Sequence, residues 1–159
     1  MPDLAGVQNH STPEPTQPTA IPFERVAAAM REALDSRALG RIDAVVAIAR
    51  GGVVAGALAA YHLRVPLRLL RLRFRDDAHA PLSERPVVAS DVPNVLGQRV
   101  LVVDDVSVSG ATLRAAREVL DATVVTLVVK GRTGVADVVL IDDVPECVRW
   151  PWNEDVAGT

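Results

Sequence analysis

The stretch Arg99-Val-Leu-Val-Val-Asp-Asp-Val-Ser-Val-Ser-Gly-Ala-Thr-Leu113 decides the fold of this chain. Its apolar run from Val100 to Val103 is typical of a central parallel strand that is covered on both faces. Two acids, Asp104 and Asp105, end the run, and Ser-Gly-Ala-Thr at 109–112 then opens a helix with apolar residues at helical spacing. The pattern predicts a buried strand, a polar turn and a helix.

The predicted turn has the chemistry of a phosphate site. The first N–H groups of a helix point outward at the positive end of the helix dipole, so they bind anions readily. Ser109 and Thr112 add hydroxyl donors, and ionised Asp104 and Asp105 can accept hydrogen bonds from the vicinal hydroxyls of a sugar. One turn of this kind can hold a whole ribose 5-phosphate.

This stretch resembles the phosphoribosyl pyrophosphate (PRPP) motif of type I phosphoribosyltransferases, in which an apolar run, two acids, a short variable segment, a Thr/Ser-Gly pair and a Thr follow one another. The resemblance implies that Asp104 and Asp105 are catalytic residues that bind the ribose hydroxyls and Mg²⁺. It also implies that the following loop wraps the 5-phosphate of PRPP. The loop residues are Val108, Ser109, Gly110, Ala111 and Thr112.

A second sequence of strand, glycine loop and helix occurs earlier in the chain. Arg50-Gly51-Gly52 follows a strand-like run at 42–49 and precedes a helical pattern at 53–63. Glycine lets the backbone approach an anion closely and arginine supplies a fixed charge, although a plain turn with a solvated arginine has the same three residues. The string at 47–59 resembles the pyrophosphate loop of xanthine-guanine and hypoxanthine phosphoribosyltransferases. That resemblance implies a PRPP-binding loop, a catalytic Arg50 and a cis peptide between Arg50 and Gly51.

Base recognition is expected from two places. Lys130 is the single lysine of the chain and follows the apolar pattern at 123–129, so it should face the crevice at the carboxyl end of a strand. In the purine enzymes that the chain resembles, a lysine here binds the exocyclic oxygen of the base. The segment 141–153 resembles the end of the hood in xanthine-guanine phosphoribosyltransferases, which implies Val148 or Trp150 as the residue that stacks on the base.

The fold expected is α/β, a mainly parallel open sheet with helices on both faces, as in type I phosphoribosyltransferases. Residues 1–20 are rich in Pro, Thr, Gln and Ser and are expected to form a disordered tail, and 21–159 to form one domain. The polar segment 75–98 is too long for an ordinary connection and is predicted to be a flexible hood loop. Its candidate contacts are Ser83, Glu84 and Arg85, with Val87 and Val88 as a hairpin edge.

Composition narrows the expected partners and location. The net charge of −3 gives no general attraction for nucleic acid or for an anionic membrane surface. Cys147 is the single cysteine, so no internal disulfide is possible, and no signal-peptide or membrane-length apolar pattern occurs. We therefore expect a cytoplasmic homo-oligomer whose partners are the small molecules PRPP and a nucleobase, with no nucleic acid and no membrane.

Val108 is a departure from the family pattern. Purine enzymes usually carry an Asp there, which handles the proton of the purine imidazole nitrogen, and a valine cannot accept a proton. The first function considered is transfer of ribose 5-phosphate from PRPP to a 6-oxopurine in purine salvage, and xanthine is favoured if the base binds as its anion. The alternatives are a non-catalytic sensor of PRPP or nucleotides with the same fold, and a pyrimidine phosphoribosyltransferase.

Overall fold

The protein is described from a computed structural model, over residues 17–73, 85–145 and 147–153. Its strands are β1 (Thr19–Ala20), β2 (Ala44–Ala49), β3 (Leu67–Arg73), β4 (Val87–Val88), β5 (Arg99–Ser107), β6 (Thr123–Gly131), β7 (Val138–Ile141) and β8 (Val148–Arg149). Its α-helices are α1 (Phe23–Asp35), α2 (Val53–Leu63) and α3 (Ala111–Val119), with short 3-10 turns at Arg37–Leu39 and Pro151–Asn153. Six strands form one sheet in the order β4-β3-β2-β5-β6-β7.

The sheet is mainly parallel and carries helices on both faces, which confirms the predicted fold class. Strands β3, β2, β5, β6 and β7 run parallel, and β4 adds an antiparallel edge to β3. On β5, Leu101 and Val103 pack into the core beneath α1 and α2, whereas Val100 and Val102 pack into the core beneath α3. All four side chains are fully buried. The continuous apolar run is therefore explained by burial on both faces.

Helices α1 and α2 cover their face in different ways. Helix α1 is amphipathic, and Val26, Met30 and Leu34 bury one stripe at a spacing of four residues. Helix α2 is built of small residues that allow a close approach to the sheet. A Cβ atom added at Gly56 would lie 2.5 Å from the Cβ atom of Ala47 on β2. This close packing holds the start of α2 directly above the end of β2.

Strand β5 is longer than predicted. Asp104 and Asp105 lie within the strand and not beyond its end, because β6 supplies pairing partners along the whole segment. Asp104 pairs with Val128, and pairing continues to Ser107 and Gly131. The expectation that the two acids end the strand was wrong.

The N-terminal boundary also differs from the expectation. Thr19 and Ala20, which the sequence placed in the tail, form β1 and pair in parallel with Val148 and Arg149 of β8. The N–H of Thr19 donates to the carbonyl of Cys147 at 2.8 Å. The rest of the predicted tail, residues 1–16, lies outside the described residues, so its disorder stays a prediction.

The predicted hood is described only in part. Ser83 and Glu84 lie outside the described residues, and Arg85 is exposed. The predicted hairpin edge is confirmed, since Val88 pairs with Leu72 of β3. Val95 is 2% exposed and belongs to the core beneath α3, so the later part of the segment is packed against the domain. Within the described ranges, no helix is long and apolar enough to span a membrane.

A polar cluster joins α3 to the start of β6 and β7. The backbone N–H of Thr126 donates to Asp137 Oδ2 at 2.7 Å, and the Thr126 hydroxyl donates to the same oxygen at 2.8 Å. Arg117 forms an ion pair with Asp137 and donates to the carbonyl of Val124 at 2.9 Å. Partial burial alone would raise the pKa of Asp137, but the hydrogen bonds from Thr126 and the charge of Arg117 outweigh it and lower the pKa.

Asp137→Asn should lower the free energy of unfolding at neutral pH by about 1 kcal/mol, since it weakens charge-assisted hydrogen bonds at a partly exposed site. Because the folded state lowers this pKa, the stabilisation is present above the unfolded value of about 4 and is lost as the pH falls through the folded value. Urea denaturation at neutral and acid pH measures the difference. Asp121→Asn, at an exposed position on the adjoining turn, is the control. A loss of equal size at acid pH would contradict the assignment.

Candidate functional site

The crevice between β2 and β5 lies where the sheet reverses its direction of winding. From β2 the chain passes through α2 to β3 on one side, and from β5 it passes through α3 to β6 on the other. The two helices lie on opposite faces, so the two loops diverge and leave a crevice beyond the carboxyl ends of the strands. Arg50-Gly51-Gly52 and the segment 104–112 both lie at this point.

The glycine loop is in direct contact with the acids. A Cβ atom at Gly51 would overlap the carboxylate of Asp105. At Gly52, a Cβ atom would overlap the carbonyl of Val103 and lie 2.9 Å from the carbonyl oxygen of Ile48. Only glycine fits these positions without displacing β5. The structure therefore joins the two segments that the sequence assigned separately to pyrophosphate and to ribose.

Arg50 is exposed at the start of this loop. A cis peptide joins Ala49 to Arg50, whereas the sequence comparison placed it between Arg50 and Gly51. That expectation was wrong by one residue, since β2 ends at Ala49 and the turn begins there.

The two carboxylates are held by backbone N–H groups. Asp104 is only 7% exposed, and its Oδ1 accepts from the N–H of Asp105 at 2.9 Å. Asp105 is half-buried, and its Oδ1 accepts from the N–H of Val106 at 2.7 Å. Burial raises the pKa of Asp104 well above its usual range, and the neighbouring charge of Asp105 raises it further. Burial also raises the pKa of Asp105, against the opposing effect of the Val106 hydrogen bond.

This pair suits a metal that is shared with a phosphate ligand. Among the described residues, no group of three or more His, Cys, Asp or Glu side chains forms a metal cage. Mg²⁺ commonly binds through one or two carboxylates together with substrate phosphates. Asp104 and Asp105 fit that use because a cation would relieve the cost of two adjacent, poorly solvated carboxylates.

The turn before α3 is held by serine side chains. The buried Ser107 hydroxyl accepts from the N–H of Gly110 at 3.1 Å, and the Ser109 hydroxyl accepts from the N–H of Ala111 at 3.4 Å. Gly110 has a φ of 73°, a conformation that favours glycine. Thr112 is half-buried in the first turn of α3, and Val108 is 70% exposed. The turn thus has the shape expected of a phosphate loop.

Ser107 is a structural residue of the site that the sequence analysis did not single out. Its hydroxyl caps an N–H group three residues further on, a local arrangement that serine favours. The signal was present as a serine directly before the variable part of the motif.

Lys130 lies at the same edge of the sheet as the acids. The register pairs it with Val106 of β5 on one side and with Ile141 of β7 on the other. It is half-buried, two residues beyond Val128, the partner of Asp104. The predicted position at the carboxyl end of β6 is confirmed.

Trp150 lies against the acids. It is 2% exposed, and its ring stacks on Trp152 with centroids 5.1 Å apart and planes at 6°. A hydrogen bond from the Trp150 side chain to Asp105 acts to lower the pKa of that carboxyl. Val148 is half-buried in β8 opposite Thr19. The structure gives Trp150 a carboxylate partner and a covered ring face, and base stacking by Val148 or Trp150 stays a prediction.

Comparison with known proteins agrees with this geometry. A curated adenine phosphoribosyltransferase from Treponema denticola is 32% identical over 88 residues, a match that covers 51% of this chain and spans only about half, 46%, of that protein. The crystal structure of a purine phosphoribosyltransferase from Pyrococcus horikoshii has a TM-score of 0.70 at 21% identity, covering 86% of this chain and 93% of that one. For a Helicobacter pylori xanthine-guanine-hypoxanthine phosphoribosyltransferase, the TM-score is 0.69 at 19% identity, covering 87% and 96%. The two solved structures share the fold of this chain.

The family assignment follows from the domain as a whole. Residues 21–153, from the residue after β1 to the end of the described chain, match the model of the phosphoribosyl transferase domain. The match includes both loops of the crevice and Lys130. This chain belongs to the phosphoribosyl transferase domain family.

Proposed function

We propose that this protein transfers ribose 5-phosphate from PRPP to a 6-oxopurine base and releases pyrophosphate. The observation that carries the proposal is the contact between the Gly51-Gly52 loop and Asp105. That contact makes a single crevice out of the segments suited to pyrophosphate and to ribose. A ligand that carries both groups on one ribose ring matches the crevice.

In the proposed complex, each part of PRPP has its own segment. Asp104 and Asp105 accept hydrogen bonds from the ribose hydroxyls, and the turn before α3 binds the 5-phosphate. Arg50 and the backbone of the glycine loop bind the pyrophosphate. The base nitrogen bonds to C1′ as the bond from C1′ to the pyrophosphate oxygen breaks, so negative charge grows on the leaving group beside Arg50.

Mg²⁺, when bound, would neutralise part of the pyrophosphate charge, and Asp104 and Asp105 are the residues that would hold it. In the protein itself, these carboxylates lie where burial raises their pKa values. Binding a cation favours their ionised form. The fit rests on this chemistry of the donor pair.

The base is assigned to the side of the crevice nearest β6. Lys130 donates to the exocyclic oxygen of the purine in this proposal, which its place at the carboxyl end of β6 supports. Val108 offers no proton acceptor, so the proton of the base nitrogen must leave to another group or be absent from the start. A base that is already an anion, such as xanthine, fits this requirement.

Adenine is a second candidate base. The match to the Treponema denticola adenine phosphoribosyltransferase favours it, and adenine lacks the oxygen that Lys130 would bind. A non-catalytic sensor of PRPP is the remaining alternative, and Val108 favours it because the family's usual proton acceptor is missing.

A panel of bases separates these functions. Xanthine, guanine, hypoxanthine, adenine, orotate and uracil are each incubated with PRPP, Mg²⁺ and the full chain, and pyrophosphate release is followed. The proposal expects release with 6-oxopurines and little with adenine. Release with adenine or a pyrimidine alone would replace the substrate. PRPP binding with no release for any base would replace the enzyme by a sensor.

Asp104→Asn combined with Asp105→Asn should weaken the binding of PRPP with Mg²⁺ by about 100-fold or more, since charge-assisted hydrogen bonds to two groups are lost. The variant should fold, because burial raises both pKa values and two neutral amides avoid that cost at neutral pH. Titration calorimetry and thermal melting measure the two effects. Asp121→Asn is the matched surface control. Unchanged PRPP affinity in the folded double variant would refute the ribose-binding role.

Lys130→Ala should reduce turnover with a 6-oxopurine by about 10-fold to 100-fold, because the exocyclic oxygen loses a charged donor worth roughly 1–3 kcal/mol. PRPP affinity should persist, since the PRPP loops lie on β2 and β5. Steady-state kinetics with 6-oxopurines and adenine, together with PRPP titration, measure both properties. Arg132→Ala, an exposed cation two residues further on, is the control. A variant that keeps its preference for the 6-oxopurine would show that Lys130 does not recognise the base.

A further inference from the structure

Arg114 lies across the turn between β5 and α3. Its Nη1 donates to the carbonyl oxygen of Ser109 at 2.8 Å, and its backbone N–H donates to the carbonyl of Gly110 at 2.9 Å. The residue is exposed and sits one helical turn after the loop. Nothing in the motif of two acids, Ser-Gly and Thr includes it.

The shape of Gly110 matches the position of this guanidinium. A Cβ atom at Gly110 would lie 2.9 Å from Arg114 Nη1 and 3.1 Å from the carbonyl oxygen of Val135. Gly110 is buried and has a positive φ. The missing side chain therefore leaves the space in which the guanidinium crosses the turn.

The peptide group between Ser109 and Gly110 is held from both ends. Its N–H donates to the buried Ser107 hydroxyl at 3.1 Å, and its carbonyl accepts from Arg114. A peptide group fixed in this way cannot rotate to point its carbonyl oxygen at a bound anion. The orientation matters because a carbonyl oxygen facing a phosphate would repel it.

Charge adds to this geometric effect. The chain carries a net charge of −3, so binding of a phosphate dianion depends on local positive charge. The first turn of α3 contains no acidic residue. Arg114 brings a guanidinium, with further N–H donors beyond the one given to Ser109, to the side of this turn.

We propose that Arg114 is a positioning residue of the 5-phosphate site: it fixes the Ser109–Gly110 peptide and supplies positive charge beside the phosphate. This inference rests on the proposed function, because it takes the turn to be the 5-phosphate site. It concerns one half of the crevice only. The pyrophosphate half, at the Arg50 loop, should not depend on Arg114.

The test compares two ligands that occupy different halves of the crevice. Dissociation constants for ribose 5-phosphate and for pyrophosphate, each with Mg²⁺, are measured by calorimetry on the full chain and on Arg114→Gln. The affinity for ribose 5-phosphate should fall about 10-fold, as for loss of a charge-assisted contact, while that for pyrophosphate stays within about twofold. Arg114→Lys, which keeps the charge but loses the planar fork, should lie between the two.

Arg117→Gln is the matched control. It removes the same charge from the same helix one turn later, where Arg117 contacts Asp137 and not the loop. It should leave both dissociation constants unchanged even if thermal melting shows lower stability. If it weakens ribose 5-phosphate as much as Arg114→Gln does, long-range charge explains the effect and the positioning role is refuted.

The remaining outcomes are also decisive. Unchanged ribose 5-phosphate affinity in Arg114→Gln, with binding intact in the natural chain, overturns the inference and leaves the proposed function standing. Equal losses for both ligands overturn it as well, since they indicate general damage. If Arg114→Gln does not fold, Arg114→Lys decides, because unchanged affinity there with unchanged salt dependence denies a role to the fork. A natural chain that binds neither ligand removes the proposed function and the inference together.

Discussion

The close contact between the glycine loop after β2 and the acids on β5 is the constraint on which the rest of the site depends. β2 and β5 are adjacent, fully buried strands, so the two loops cannot separate without disturbing the centre of the sheet. Gly51 and Gly52 remove the side chains that would otherwise hold the loop away from β5. The same economy of volume recurs at Gly56 over Ala47, which sets the start of α2. Small residues thus fix the width of the crevice.

The electrostatics of the crevice oppose those of a stable core. Asp104 is almost fully buried beside a second carboxylate, an arrangement that costs free energy in the unliganded protein. The surrounding apolar strands and the backbone N–H groups of Asp105 and Val106 tolerate this cost. Cationic and hydroxylic ligands would relieve it. A site that is poorly solvated when empty gives its ligands a correspondingly larger gain on binding.

Sequence patterns predicted what depends on local chemistry and burial. The apolar run of β5, the small-residue helix α2 and the place of Lys130 each follow from periodicity or from chain order, and all are confirmed. The extension of β5 through Asp105 was not predictable, because it depends on how far β6 continues beside it. Pairing of Thr19 with Val148 joins segments more than a hundred residues apart, and no local signal marks such a contact. The Arg114 guanidinium contact was missed for a similar reason, since it needs the shape of the folded turn.

The stacked pair Trp150 and Trp152 contains both tryptophans of the chain. Indole fluorescence of this protein therefore originates at one place, next to Asp105, and is sensitive to the local field and to quenching there. Emission from most domains averages over scattered rings, whereas emission here reports the surroundings of one carboxylate. The domain consequently carries a built-in optical probe beside its ribose site, which needs no label and leaves every side chain in place.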